Sequence, residues 1–295
     1  MATPESKQFA KQLVTDHLKG TGYGHYWPKV KEEEVASGLI DRVDRPDIVF
    51  QSAANVCGMA SFVHDLLETD PVLYTWLGIH LFKSAKGRLG RGKESIVITA
   101  SVETRSSPIP AGINHADWVV LASLRDYSNK VLNYAYNTKI PVLSDIPILG
   151  IFGQSWVAEP IAGINWPKDL EVLLRAAGFR RVVNAADTLS LAGYKNFQRA
   201  GEFYDAGYQV MLLISNSMLT GGKPTPTAEH WITLESTIEE NLFAFQGSEQ
   251  PSGVTFTIFN PAKRAKYKVP SPPAAYIPLR QVLNNFYGFV AARAN

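Results

Sequence analysis

QVMLLISNSMLTGGKPTPTAEHWITLE, residues 209–235, is the stretch that settles the architecture. Its opening QVMLLIS is a short apolar run of the length and composition of a buried strand. A loop dense in Gly and Pro follows from Leu219 to Ala228. HWITLE, 230–235, then reads as a second strand with histidine in first place. VTFTIF, 254–259, is a third, and Asn260-Pro261 ends it because proline cannot donate to a ladder. A helix from Leu279 to Phe286 and a closing strand from Gly288 to Ala292 complete the C-terminal part.

Upstream the apolar period lengthens to that of helices. Gln8 to Leu18 is amphipathic, and Lys31 to Val35 is an acidic helical patch. In Cys57 to Leu67, residues Ala60, Val63, Leu66 and Leu67 share one face. Asp117 to Tyr136 is helical in composition, with Asn114 as one candidate cap. Asp169 to Ala177 is a short helix stopped by Gly178, and Leu189 to Ala206 is another. Residues 141–167 are loop-rich. Helices precede an antiparallel sheet, so the fold class is α+β, a helical N-terminal part packed on a C-terminal antiparallel sheet. No linker marks an internal boundary. The expected organisation is an N-terminal extension over 1–47 and one domain over 48–295, with a helical insertion at about 70–200.

The chain has 295 residues, 45% hydrophobic and 19% charged, which excludes a disordered chain. Twenty-nine Lys and Arg against 27 Asp and Glu leave a formal charge of +2, so no global basic field draws it to nucleic acid or a membrane surface. One cysteine, Cys57, excludes internal disulfides and all-cysteine metal sites. The N-terminus lacks the apolar run of a secretion signal, and no stretch approaches 18 apolar residues. The expectation is a protein cytoplasmic as synthesised, binding neither nucleic acid nor membrane and using no cofactor or metal. Nothing in the sequence fixes an oligomeric state.

Four polar residues carry candidate chemistry. Cys57 falls at a helix start, with Asn55 as a cap and Gly58 after it. The positive end of the helix dipole favours the thiolate, the nucleophilic form. His230 opens a strand at a loop's end, where an imidazole can take the thiol proton and return it to a leaving group. Asn260 ends the next strand; if the two strands pair, its amide oxygen can fix the His230 ring. Gln51, six residues before Cys57, can donate to a developing oxyanion. A lone cysteine in a helix is also an ordinary small core residue, and Asn-Pro an ordinary turn signal.

Gln-x5-Cys-Gly at a helix start, a distant His-Trp-Ile-Thr-Leu strand and a Phe-Asn-Pro strand end together resemble the papain-like cysteine hydrolase superfamily, in its C39-like, bacterial toxin-effector form. The resemblance spans 48–67 and 205–292. It implies a papain-like fold with Cys57 as nucleophile, His230 as base, Asn260 as orienter and Gln51 as oxyanion donor. The implied substrate is a protein or peptide-like amide, and the implied destination is export by a dedicated secretion machine. The 30 residues between His230 and Asn260 are expected to hold a hairpin insertion around Phe245 to Gly253. The same thioester chemistry with an amine acceptor gives a transferase, and the same fold without a reactive thiol gives a binding protein.

Three further signals compete. His115, with Asp117 or Asp126, is an alternative base. His64 lies two helical turns from Cys57, about 10 Å, too far for direct proton transfer. Gly87, Gly92 and Lys93 nearly spell a phosphate-binding loop, but Glu94 stands where Ser or Thr belongs, and a strand follows instead of a helix.

Overall fold

In α1 (Pro4–Leu18), Ala10, Leu13, Val14 and Leu18 fall on one buried stripe. In α2 (Glu32–Asp44), three glutamates in the first turn face the positive end of the dipole, and Val35, Leu39 and Val43 are buried. α3 (Cys57–Thr69) is enclosed from Cys57 to Leu67. α4 (Pro71–Ser84) starts on proline, with the Asp70 carboxylate accepting from the Leu73 amide at 2.9 Å. A hairpin, β1 (Lys86–Leu89) and β2 (Ile96–Thr99), leads to α5 (Val102–Ser106) and α6 (His115–Ser128). Asn114 caps α6 through Ala116 at 2.8 Å, as its sequence predicts. α7 (Pro167–Ala177) stops at Gly178, which takes φ +96°. This computed structural model describes residues 2–18, 24–52, 54–129, 166–223, 227–241, 252–270 and 276–294, with residues 20, 22 and 225.

The remaining chain builds the sheet. β3 (Arg180–Asn184) is followed by α8 (Gly193–Asp205), β4 (Gln209–Ile214), α9 (Ser217–Thr220), β5 (His230–Leu234), β6 (Glu239–Asn241) and β7 (Gly253–Asn260). β8 (Ala265–Val269), β9 (Ile277–Pro278), α10 (Leu279–Leu283) and β10 (Phe286–Arg293) complete it. The strand order is β3-β10-β4-β5-β7-β6, with β8 and β9 also on β7, and every pairing is antiparallel. A register shift between Phe286 and Gly288, where Gly288 takes φ +111°, bends β10.

Strand alternation sorts the core into two layers. Met211, Leu213, Trp231, Phe259 and Val290 face α3 and α7. Their cluster continues through α1, α2, α4 and α6. Leu212, Ile214, Ile232, Phe256, Ile258 and Phe289 face the other way, against Phe197 and Ala200 of α8. The sheet is thus held between two helical layers. The first 47 residues, an extension by sequence, contribute Leu13, Trp27, Leu39 and Val43 to the same core as α3.

The α+β class holds, with four local corrections. Val56, not Asn55, occupies the N-cap of α3, without a side-chain cap; Asn55 has φ +50°. α8 begins at Gly193, after bends at 188–190, with the Ala192 amide at its N-cap donating to Phe286 O at 2.9 Å. α10 ends at Leu283 because Phe286 is already in the sheet. Residues 70–200 hold the β1–β2 hairpin and edge strand β3 as well as helices. Most of the loop at 141–167, the helix beyond Asn129 and most of the hairpin insertion at 245–253 lie outside the described residues.

Candidate functional site

The approach to Cys57 is a loop tied down at successive residues. The Phe50 amide donates to Asp117 Oδ2 at 3.1 Å, the Gln51 amide to Pro261 O at 3.2 Å, and Ser52 Oγ to Ala111 O at 2.7 Å. The Asp117 anchor is itself gripped by Arg42, whose Nε and terminal nitrogen reach its two oxygens at 2.9 and 2.7 Å. The Arg264 guanidinium lies 3.9 Å from the centre of the Phe50 ring. These contacts set Gln51 beside the residue that follows Asn260. The side-chain Oε1 of Gln51 is buried without a hydrogen bond.

β5 and β7 bring His230 and Asn260 together, 30 residues apart in sequence. Nε2 of His230 is 3.0 Å from Oδ1 of Asn260. Asn260 Nδ2 donates to Tyr267 Oη at 2.8 Å, and Oδ1 also accepts from the Ala262 amide at 2.9 Å. The atom facing His230 is therefore an acceptor. Nε2 carries the proton, and Nδ1 is the basic nitrogen. This is the tautomer a general base needs.

Cys57 opens α3 and is 4% exposed. Its Sγ lies 4.0 Å from the carbonyl oxygen of Glu229, the residue before His230. All four sequence-selected residues thus sit around one end of the β5–β7 pair, but they do not form a closed relay. His230 pairs directly with Ile214, whose side chain belongs to the α8 layer, so the imidazole lies on that face. Cys57 belongs to the α3 layer with Trp231 and Phe259. The thiol and the ring lie on opposite faces of the start of β5, and no hydrogen bond joins them among the described residues. Trp231 packs on the Cys57 side.

The electrostatics match that separation. Burial pushes the Cys57 thiol up from its ordinary value, against the backbone amides of Trp231 and Gly58 and the charge of Arg125, which favour the thiolate. Burial pushes the His230 imidazole down to about 4, although the Asn260 contact opposes it. Both groups are neutral near pH 7.

A second polar cluster on the Cys57 side of the sheet escapes sequence reading. His64 Nε2 is 2.7 Å from Glu235 Oε1, and its ring stacks on Phe259 with centroids 4.0 Å apart. Lys266 Nζ bridges Glu235 and Glu68, at 2.9 Å to each. Burial alone would raise Glu235, but His64 and Lys266 hold its carboxyl below the usual value. Asp65 is fully enclosed, and neither carboxylate oxygen makes a hydrogen bond. Thr233 lies near it without an aligned bond. Burial, reinforced by Glu235 and Glu68, raises Asp65 well above the ordinary range. The only sequence signal for this cluster was the placement of His64, Asp65 and Glu68 on a largely apolar helix.

His115 is engaged elsewhere: Nδ1 accepts from the Lys31 amide at 3.0 Å, and Nε2 is 3.2 Å from Glu34. Among the described residues no group of His, Cys, Asp or Glu is arranged to hold a metal ion, and no helix is long and apolar enough to cross a membrane. No protein-family model, curated protein or solved structure matches the chain.

Proposed function

We propose that the chain is a cysteine-dependent hydrolase of amide bonds in a protein or peptide-like substrate, built on a papain-like fold. The observation that carries this reading is the His230–Asn260 contact at 3.0 Å, at the strand end beside which Cys57 Sγ lies. Cys57 sulfur attacks the amide carbon as its proton passes to Nδ1 of His230. The C–S bond forms while the carbonyl π pair moves onto oxygen, which the Cys57 backbone amide and the Gln51 side-chain amide stabilise. Collapse breaks the C–N bond, and His230 gives its proton to the departing amine. Water then attacks the thioester with His230 as base, releasing the acid and the thiol.

This chemistry requires the start of β5 to rearrange so that the imidazole and the sulfur come to the same face as substrate enters. Turnover of a peptide library, followed as free amine released, tests it: Cys57→Ala abolishes release while the fold persists. Repeating the assay with an added amine separates hydrolysis from acyl transfer. Activity unchanged in Cys57→Ala rejects the mechanism.

The burial of Cys57 and its upward-shifted thiol favour one other reading, a binding protein on the same scaffold whose thiol is a core group.

A further inference from the structure

At the far end of α3 from Cys57, a pocket of about 500 Å³ opens between the start of α4, the β1–β2 turn and the end of α7. Thirteen residues of helix at 1.5 Å each put it roughly 20 Å from the thiol. Four of its lining residues are cationic, Arg91, Lys93, Arg175 and Arg180, against Asp70 and Glu94. The volume suits a small ligand rather than a protein segment.

The pocket is fixed in shape by the backbone. Gly90, at φ +87°, lets the hairpin turn lie against α7 so closely that a Cβ there would stand 1.6 Å from the Ala176 carbonyl oxygen. The turn is closed by Ser95, whose hydroxyl donates to Gly92 O at 2.7 Å and accepts from Arg88 at 2.8 Å. Two of the cations are braced. Arg91 is 3.5 Å from Asp70 Oδ2, and Arg175 is 3.2 Å from Glu171 Oε1. These carboxylates hold the guanidinium groups on the wall; among the lining residues themselves, four cations against Asp70 and Glu94 leave an excess of two positive charges. Planar guanidinium forks match phosphate oxygens in pairs, and Lys93 supplies a point charge beside them.

We propose that this pocket binds a compact multivalent phosphate-type anion, at a site separate from Cys57 and independent of the hydrolase reading. It is the same Gly- and Lys-rich segment that resembles a phosphate-binding loop in sequence. Here the cradle is a hairpin turn against a helix end instead of a loop leading into a helix.

Calorimetric titration of the full chain with sodium tripolyphosphate, and in parallel with ATP, tests this. The expected result is one saturable site whose affinity falls at least tenfold in Lys93→Glu and in Arg175→Gln, and is unchanged in Lys195→Glu on the exposed face of α8. Lys93 is an exposed lysine, so its variant folds normally. ATP binding tighter than tripolyphosphate, with the same losses, identifies a nucleotide as the source; equal affinity identifies free polyphosphate. Three results overturn the proposal: no binding by the wild type at 150 mM salt, binding that both pocket variants retain, or a glutamate-rich peptide binding where tripolyphosphate does not.

Discussion

Asn260 offers its side-chain oxygen to Nε2 of His230 at 3.0 Å while its amide nitrogen donates to Tyr267 Oη at 2.8 Å. One residue thus sets both the orientation and the tautomer of the imidazole. Asn260→Ala leaves a buried donor on His230 without an acceptor, costing about 1–3 kcal/mol of stability. Turnover is expected to fall at least tenfold, with kcat affected more than KM. Tyr267→Phe removes only the outer bond and should cost less on both counts. Urea melts and steady-state kinetics check this; full activity in Asn260→Ala contradicts the positioning role.

His230 makes stability depend on acid. Its folded-state pKa is about 4 against an ordinary 6.5, so between these values the unfolded chain holds a proton that the folded one does not. Stability is at its full level above pH 6.5 and is lost as pH falls toward 4, by at most roughly 3 kcal/mol. Denaturant unfolding of the wild type and His230→Gln at pH 7 and pH 5 isolates the effect. The wild type should lose more stability over that interval than the variant, and equal losses are the contrary outcome.

Asp65 works in the opposite direction. Its pKa is raised in the folded state, so above the ordinary carboxyl range the folded chain keeps a proton that the unfolded chain gives up. Stability therefore falls as pH rises from that range toward the raised folded value. Asp65→Asn keeps the volume and removes the ionisation. Between pH 5 and pH 9 its melting temperature should decline less than that of the wild type. Parallel declines rule out a buried, protonated Asp65.

The Arg42–Asp117 pair reaches from α2 to α6 and also holds the Phe50 amide, seven residues before Cys57. Asp117→Ala strands a buried guanidinium and is expected to cost about 3–5 kcal/mol. It should also loosen the loop that presents Gln51, measurable as faster amide hydrogen exchange at residues 50–56. Exchange unchanged there while stability drops would confine the pair to a structural role.

The sheet was readable in sequence where burial leaves a two-residue period or a short apolar run, as in 209–215, 230–235 and 254–259, which became β4, β5 and β7. β8 was not readable. AKYKV alternates, but its charged face is paired with Glu68, Glu235 and Glu239, and it looks like a basic linker until those partners are known. The His230–Asn260 contact follows from strand pairing, and the sequence anticipates it. The face on which His230 falls does not follow. It depends on the register of β5 against β4, set by contacts more than a dozen residues apart. The buried Asp65 was equally hidden, because helical spacing marks a face and says nothing of what lies against it.

Alkylation of Cys57 by iodoacetamide at pH 6, followed by intact mass in the native full chain and in His230→Ala, puts the proposed chemistry to its sharpest trial. If the imidazole reaches the thiol in an open form, the wild type is modified at least tenfold faster than the variant. Wild type and variant reacting at the same slow rate, and only as each unfolds, would mean that the two groups never meet and that Cys57 is part of the core.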